Sequence, residues 1–359
     1  MGFTVALDTT PLIGHRTGIG EFTARLLESL PLVDDPPDIV PFVLSRRAGS
    51  LPPGTRRLVM PARLGLRVWA RVSWPRERRA FEAVDVVHGT NYIAPPTGRP
   101  TILTVHDTSP ITNPERCEPG VRSFVPVLRR LVESGAWVHT PSEHVARQVR
   151  ELLGTDRVHA VHSGAPELIT RGGDPHVPER PFVLAVATAE PRKNLPRLVA
   201  AYGQAQRRLP ELALVIAGAD GSDGPAIEAA IAVLDKSALV VRTGRIDDAR
   251  RSGLLLAARA LAYPSYDEGF GFPLLEAMAA GLPVVASAAG AIPEIAGNAA
   301  LLVAAVDTDA LADALVRVVD DTALRTELIN RGRARLEIFS WRATAEGLND
   351  LYRRAVAEA

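Results

Sequence analysis

Two glutamates, Glu268 and Glu276, are separated by seven residues, among them Gly269, Gly271 and Pro273. Glycines let a backbone approach a ligand closely, and proline fits the first turn of a helix, where its missing N–H costs nothing. The start of a helix presents N–H donors and a positive dipole end, which suits a phosphate. Since carboxylates accept hydrogen bonds in pairs, both glutamates are candidates to hold hydroxyl groups. A tight packing turn with two solvated glutamates is the alternative.

Short apolar runs place these glutamates on defined elements. Residues 260–263 predict a strand, and residues 273–280 have the pattern of a helix. Glu268 then lies on the loop that leaves the strand, and Glu276 lies about one turn into the helix.

Arg192 and Lys193 follow a further predicted strand, 182–187. A leaving group that contains a diphosphate develops negative charge, which a metal ion or fixed cations must stabilise. The one Asp-x-Asp sequence, Asp307 to Asp309, directly precedes an amphipathic helix and is interpreted as an N-cap. We therefore expect no metal ion, and we interpret Arg192 and Lys193 as a clamp for the diphosphate. An exposed loop with surface charges is the alternative.

The first half of the chain offers weaker candidates. Gly18 and Gly20 lie in a predicted loop between a strand and a helix, and they half-match a dinucleotide fingerprint that lacks its third glycine. His106 ends a predicted strand, His88 ends another and is a candidate on the acceptor side, and Ser142 is expected to cap a helix.

The chain alternates strand and helix patterns along its 359 residues, which suits two α/β domains with parallel, doubly wound sheets. The polar, Pro/Gly-rich stretch 171–181 is the predicted linker. We expect an N-terminal Rossmann-like domain at 1–172, a C-terminal one at 173–340, and a final segment, 341–359, that packs back on the first domain. Ligands are expected in a cleft between the domains, at the carboxyl ends of strands.

Composition limits the classes of function. The formal net charge is zero, which argues against a nucleic-acid binder that works by overall charge. A single cysteine excludes an internal disulfide and suits a reducing, cytoplasmic location, and no leader or bilayer-spanning stretch is evident. The arginine-rich stretch 56–79 is interpreted as a solvated surface helix or, alternatively, as a peripheral membrane contact.

Several sequence segments together resemble those of the family 4 retaining glycosyltransferases. That family has the GT-B fold, in which two doubly wound Rossmann-like domains enclose an interdomain cleft. The segment 268–276 resembles the Glu-x7-Glu motif of that family. Residues 187–194, 277–285 and 292–296 are similar to it as well, and the resemblance is strongest from 182 to 303.

The resemblance implies roles for individual residues. Glu268 would contact the hydroxyls of the donor sugar, Glu276 the ribose, and His106 the sugar or the transition state. Glu268, His106 and Lys193 are thus the catalytic candidates, while Gly18 and Gly20 would face phosphates and acceptor. The donor-binding candidates are Arg192, Lys193, Gly244, Ile246, Glu268, Gly269, Phe270, Gly271, Phe272 and Glu276.

The implied reaction transfers a hexose from a nucleotide diphosphate sugar to a hydroxyl of a glycan, a lipid-linked acceptor or a small molecule, with retained anomeric configuration. Mannose from GDP-mannose is the first candidate, and UDP-sugars remain open. We expect no cofactor beyond this co-substrate. The alternatives are a sugar-nucleotide epimerase of the same fold and a non-catalytic binding protein.

Overall fold

A computed structural model of the chain describes residues 2–14, 18–45, 51–58, 62–71, 81–117, 119–167 and 178–359. The chain divides into two compact units, which are described separately. The N-terminal unit comprises Met1–Gly164 and Phe339–Ala359, and the C-terminal unit comprises Ala165–Ile338. Most of the predicted linker, 171–177, lies outside the described residues, as do 59–61 and 72–79 of the arginine-rich stretch.

The N-terminal unit contains a seven-stranded parallel sheet. Its strands are β1 (Thr4–Asp8), β2 (Asp38–Val43), β3 (Arg56–Arg57), β4 (Val86–Gly89), β5 (Thr101–Thr104), β6 (Trp137–Thr140) and β7 (Val158–Ala160). Their order is β3-β2-β1-β4-β5-β6-β7, and each neighbouring pair is parallel. The winding reverses between β1 and β4. Such a switch point is where open α/β sheets bind ligands.

Six helices connect these strands within the described residues. They are α1 (Gly18–Ser29), α2 (Ala62–Trp69), α3 (Ser109–Thr112), α4 (Pro119–Arg122), α5 (Val125–Glu133) and α6 (Glu143–Leu153). The hydroxyl of Ser142 accepts a hydrogen bond from the N–H of Val145 at 3.2 Å, which confirms the predicted N-cap.

The C-terminal unit contains a six-stranded sheet of the same kind. Its strands are β8 (Phe182–Val186), β9 (Ala213–Ala217), β10 (Leu239–Gly244), β11 (Ala260–Tyr263), β12 (Val284–Ser287) and β13 (Ala300–Val303). The order is β10-β9-β8-β11-β12-β13, with parallel pairing throughout. The switch point of this sheet therefore lies between β8 and β11, the two strands that lead to the cationic pair and to Glu268.

Seven helices of the C-terminal unit follow in chain order. They are α7 (Leu195–Arg208), α8 (Gly224–Ala232), α9 (Asp248–Ala257), α10 (Phe272–Ala279), α11 (Ile292–Ala296), α12 (Thr308–Asp320) and α13 (Thr322–Leu336). The side chain of Asp307 accepts from the N–H of Ala310 at 2.9 Å, so this aspartate is the N-cap of α12, as the sequence predicted.

The last helix, α14 (Trp341–Ala357), belongs to the N-terminal unit. Its apolar residues recur at helical spacing, with Leu348, Leu351, Tyr352 and Ala355 buried on one face. This face joins a core cluster that includes Phe22 of α1. Among the helices of the described residues, none has the length and apolar character needed to cross a membrane.

Candidate active site

A short turn after β8 carries the cationic pair. Residues Pro191–Lys193 form one turn of 3-10 helix, and Asn194 follows in the left-handed region with φ 56°. The buried side-chain amide of Asn194 donates to the carbonyls of Pro264, at 3.0 Å, and of Ala305, at 2.9 Å. These bonds fix the turn to the segments that leave β11 and β13, because they join residues far apart in the sequence.

Glu268 lies between the two cations. Its Oε2 accepts from Nη1 of Arg192 and its Oε1 accepts from Nζ of Lys193, both at 2.7 Å. The glutamate is 6% exposed, whereas the side chains of Arg192 and Lys193 are 26% and 14% exposed. The carboxylate therefore holds both cations from the buried side and leaves them partly accessible to a ligand.

The ionisation of Glu268 follows from these partners. Burial by itself raises its pKa, but the charges of Lys193 and Arg192 outweigh burial and lower the pKa from 4.5 to about 2. Glu268 is thus an anion at neutral pH, and the cluster of Arg192, Lys193 and Glu268 keeps one net positive charge. We call these three residues the charged cluster.

Tyr263 completes the environment of Lys193. The ammonium lies 5.4 Å from the centre of the Tyr263 ring and 3.4 Å from its hydroxyl. Burial and the negative charge of Glu268 raise the pKa of Tyr263 well above 10, so its hydroxyl stays neutral. An ammonium carries three N–H donors, and Glu268 and Tyr263 engage two of them. The third donor suits a phosphate oxygen.

Two glycines shape the backbone around Glu268. Gly271 precedes α10 with φ 108°, a conformation that a side chain would strain. Gly290 has φ 60°, and a Cβ there would lie 2.4 Å from the backbone N of Glu268. The next residue, Ala291, donates its N–H to the carbonyl of Glu268 at 2.8 Å. The turn at Gly290 therefore supports Glu268 from behind at a distance that only glycine allows.

Glu276 lies in α10, is 4% exposed and pairs with Arg251 of α9. The distance from Nη2 of Arg251 to Oε1 of Glu276 is 3.2 Å, and the same Nη2 lies 3.0 Å from Oδ1 of Asp248. Arg251 thus holds this carboxylate in place, and the arginine was not among the residues predicted from the sequence. The proposed contact of Glu276 with a ribose remains a prediction.

The other predicted donor residues lie along the carboxyl edge of the same sheet. Gly244 ends β10 with φ 65°, and half-buried Ile246 follows it in the loop before α9. Gly269 and Phe270 are buried, and the rings of Phe270 and Phe272 meet edge to face at 5.2 Å. Since neighbouring strands are about 4.8 Å apart, the end of β10 lies two strands, or about 10 Å, from the end of β8.

In the N-terminal unit, His106 follows β5 and is half-buried. Its Nε2 lies 2.8 Å from the carbonyl of Thr90, which can only accept, so Nε2 carries the proton and Nδ1 is an acceptor. Burial lowers the pKa of His106, which keeps the ring neutral. A neutral ring with an acceptor nitrogen is suited to bind a hydroxyl group.

Gly18 and Gly20 differ from the expectation of a glycine loop. Gly18 begins α1 and Gly20 lies in its first turn, where Gly20 is buried. Both glycines of the predicted loop therefore belong to the helix that follows it, since glycine is tolerated at a helix start. Residues 15–17 of the predicted loop lie outside the described residues.

His88 is fully buried in the N-terminal unit, so it does not offer the acceptor contact that the sequence suggested. Its Nδ1 lies 2.7 Å from the hydroxyl of Tyr352, and its Nε2 lies 2.7 Å from the hydroxyl of Thr104. Thr104 also bonds Nδ1 of His139 at 2.9 Å, and Nε2 of His139 lies 3.1 Å from the carbonyl of Val161. We call Tyr352, His88, Thr104 and His139 the histidine chain.

The carbonyl of Val161 fixes the direction of the histidine chain. Nε2 of His139 must donate to this carbonyl, so Thr104 donates to Nδ1 of His139 and accepts from Nε2 of His88. Tyr352 then donates to Nδ1 of His88. Burial lowers the pKa of both histidines, which keeps the chain neutral. Its role is to attach α14 to the sheet.

Comparison with known proteins extends these observations. The profile described as glycosyl transferases group 1 matches residues 170–335, and that of Glycosyltransferase Family 4 matches residues 34–167. The O-antigen chain mannosyltransferase B of Escherichia coli is 27% identical over 369 residues, covering 94% of this chain and 96% of that protein. The MMP alpha-(1->4)-mannosyltransferase of Mycolicibacterium hassiacum is 32% identical over 306 residues, covering 76% of this chain and 71% of that protein.

The fold has known counterparts as well. Sucrose-phosphate synthase from Thermosynechococcus elongatus superposes with a TM-score of 0.74 at 22% identity, covering 99% of this chain and 100% of that structure. The molecule therefore has the GT-B fold, which confirms the predicted fold class, and it is a glycosyltransferase. More narrowly, the chain belongs to the glycosyl transferases group 1 family.

Proposed function

We propose that the protein transfers mannose from GDP-mannose to an acceptor hydroxyl in the assembly of a glycan, with retained anomeric configuration and without a metal ion. The two relatives described above are mannosyltransferases by name, which supports the choice of sugar. The charged cluster supports the use of a nucleotide diphosphate donor.

The observation that carries the proposal is the pairing of Arg192 and Lys193 on one buried carboxylate, at 2.7 Å each. Fixed cations stabilise a developing charge without having to reorganise during the reaction. Arg192 and Lys193 are positioned before any ligand arrives, since Glu268 and Asn194 hold their turn. An arginine beside a lysine provides a planar fork and a point charge for two phosphate groups.

In the proposed reaction, the bond between C1 of the mannose and the β-phosphate oxygen breaks, and its electron pair stays on that oxygen. The acceptor oxygen forms the new bond to C1 on the same face, and its proton passes to the departing phosphate. Arg192 and Lys193 stabilise the negative charge on the phosphate. Nδ1 of His106, which carries no proton, accepts a hydrogen bond from a sugar hydroxyl.

Binding of the donor is tested by thermal unfolding with GDP, UDP and ADP and with GDP-mannose, UDP-glucose and ADP-glucose. A ligand at 100 times its dissociation constant stabilises the folded state by about 2.7 kcal/mol. We expect the largest shift with GDP-mannose. A larger shift with UDP-glucose than with GDP-mannose would indicate a donor with glucose and uracil instead of mannose and guanine. No shift with any nucleotide would refute the donor site.

Product analysis tests the chemistry. Within the described residues, no group of three or more His, Cys, Asp or Glu side chains is arranged to hold a metal ion. We expect turnover to be unchanged in EDTA, and NMR of the product to show an α-linked mannose, the configuration of the donor. Loss of turnover in EDTA or a β-linked product would refute the corresponding part of the proposal. Release of a free, altered sugar without an acceptor would indicate an epimerase.

A further inference from the structure

A pocket lies at the switch point of the N-terminal sheet. It has a volume of about 210 Å³ and is lined by residues from the ends of β1 and β2, from α2 and from the loop after β4. Asp8 is the last residue of β1, and Asn91 follows β4, the strand at which the winding reverses. The position is thus equivalent, within its own sheet, to that of the charged cluster.

The wall of this pocket is mainly apolar. It is formed by five apolar side chains, two of them aromatic: Leu44, Leu66, Trp69, Ile93 and Phe124. Such a wall favours a flat apolar group, because the burial of apolar surface is the main source of affinity in pockets of this kind.

Among the described residues that line the pocket, Asp8, Thr10 and Asn91 form its polar part and none is basic. Thr10 donates to Oδ1 of Asp8 through both its N–H and its hydroxyl, while no described residue donates to Oδ2. A carboxylate without a neighbouring cation repels phosphate. The pocket therefore suits an uncharged ligand that donates hydrogen bonds.

Two polar atoms of the lining residues lack partners. Trp69 is 4% exposed, and its Nε1 has no hydrogen-bond partner among the described residues, nor does the buried Oδ1 of Asn91. A buried donor or acceptor without a partner costs about 1–3 kcal/mol. A ligand with a hydroxyl group can both accept from Trp69 and donate to Asn91, so its binding would satisfy both atoms.

The loop that carries Asn91 is held under strain. Tyr92 has φ 64°, a conformation that is unusual for a bulky residue and is concentrated at functional sites. The N–H of Tyr92 donates to the carbonyl of Thr104 at 2.9 Å, and its hydroxyl donates to the carbonyl of Asp107 at 3.1 Å. A Cβ on Gly89 would lie 1.9 Å from the carbonyl oxygen of Ile93, so this tight return of the loop requires glycine.

The pocket is connected to His106 through one residue. The hydroxyl of Thr90 donates to the carbonyl of Asp8 at 2.8 Å, and the carbonyl of Thr90 accepts from Nε2 of His106 at 2.8 Å. Two hydrogen bonds of Thr90 therefore link a lining residue of the pocket to the neutral imidazole that the reaction is proposed to use.

We propose that this pocket binds the acceptor, and that the acceptor is an uncharged alcohol, such as a sugar, that carries one compact aromatic or alicyclic ring as its substituent. This inference rests on the proposed glycosyl transfer. The apolar wall contacts the ring, while Asp8, Asn91 and Trp69 bind hydroxyl groups. A cavity of about 150 Å³ holds a benzene molecule, so a pocket of about 210 Å³ takes one substituted ring and not a long lipid chain.

The test is calorimetric titration of the full chain with phenyl α-mannoside, methyl α-mannoside and decyl α-mannoside. We expect the phenyl compound to bind at least about tenfold more tightly than the methyl compound, since its ring is buried. The decyl compound should bind no more tightly than the phenyl compound. Equal affinity for phenyl and methyl mannoside would overturn the proposal, and tighter binding of the decyl compound would overturn the choice of a compact ring.

A pair of variants on α2 tests the location. Leu66→Glu places a carboxylate in the apolar wall, whereas Arg67→Glu places the same side chain on an exposed position one residue later. Leu66→Glu should abolish the preference for the phenyl ring, and Arg67→Glu should keep it. A folded Leu66→Glu protein that keeps the preference would place the ring elsewhere. If Leu66→Glu does not fold, Phe124→Ala takes its place, with the same expected loss.

The stabilisation by GDP-mannose, measured on the same samples, separates this inference from the proposed function. A variant that responds to GDP-mannose but has lost the preference for the ring supports the pocket. A wild-type protein without any response to nucleotides refutes the proposed function, while the comparison of the mannosides still decides whether the pocket binds a ring.

Discussion

Asp8 and Glu268 are both buried carboxylates at the switch points of their sheets, with exposures of 2% and 6%. Their acidities nevertheless differ. Burial raises the pKa of Asp8 from 3.8 to about 6, against only the two hydrogen bonds from Thr10. Burial also raises the pKa of Glu268, but Lys193 and Arg192 bring it down to about 2. The partners of a buried carboxylate, more than its burial, decide its charge.

The difference in charge between Asp8 and Glu268 distinguishes the two proposed binding regions. Glu268 is ionised at neutral pH and keeps two cations in place, which suits the anionic donor proposed for the C-terminal unit. Asp8 has no cationic partner among the described residues and titrates near neutral pH, which suits a ligand without charge. Substitution of a charged residue in each region tests whether the two regions differ in charge as described.

The largest effect is expected from Lys193→Ala. Loss of one fixed donor at a developing oxyanion lowers kcat by about 100- to 1000-fold, and we expect a similar loss in kcat/KM for mannosyl transfer. The chain has one other lysine, Lys236, which is exposed. Lys236→Ala is thus a matched control that should keep wild-type turnover. Equal turnover in both variants would remove Lys193 from the mechanism.

Asp8→Asn should stabilise the protein at pH 7.5. A pKa raised from 3.8 to about 6 means that ionising Asp8 in the folded state costs about 3 kcal/mol. The stability linked to the protonated form is complete below pH 3.8 and is lost as the pH rises through about 6. The variant should therefore gain about 3 kcal/mol over wild type at pH 7.5 and nothing near pH 4, as measured by urea unfolding. A constant difference between these pH values would contradict the raised pKa.

Glu268→Gln should show the opposite dependence. Its ionised form contributes stability above pH 4.5, and this stability is lost as the pH falls through about 2. The variant should be about 3 kcal/mol less stable than wild type at pH 7.5. The gap should begin to close below pH 4.5, and urea unfolding from pH 7.5 to 3 measures it. A gap that grows on acidification would show that Glu268 is not held by its cations.

Tyr352→Phe should have the smallest effect and no dependence on pH between 5 and 8. It leaves Nδ1 of His88 without its donor in a fully buried position, which costs about 1–3 kcal/mol. The histidine chain is neutral throughout, so protonation does not alter this cost. Urea unfolding at several pH values measures it, and a slope across this range would mean that a histidine of the chain takes up a proton.

The sequence was sufficient to predict the architecture, because apolar runs of strand and helix length alternate in a regular way. It was also sufficient to predict a cluster around Glu268 and Lys193, since both follow strands whose carboxyl ends share one edge. The N-caps Ser142 and Asp307 followed from local spacing alone.

Other parts of the site could not be predicted, because they depend on which strands are neighbours. Arg251 contacts Glu276 only because α9 and α10 lie near each other in the fold. This places Nη2 of Arg251 3.2 Å from Oε1 of Glu276. Gly290 supports Glu268 from another loop, and its sequence context gives no sign of that contact. Asp8 lines the same pocket as Trp69 and Asn91, although at least 60 residues separate them from it in the sequence. His88 shares the strand-end position of His106, so the sequence did not distinguish the buried ring from the accessible one.

The N-terminal unit is interrupted in sequence by the whole of the C-terminal unit, and this has a consequence for synthesis. The ribosome completes residue 164 long before it reaches α14, which ends at Ala357. At 5–20 residues per second, this interval lasts roughly 10–40 s. During that time the apolar side chains of α1 that α14 later covers stay in contact with water. The N-terminal unit can therefore complete its core only after the whole C-terminal unit and the last helix have been made.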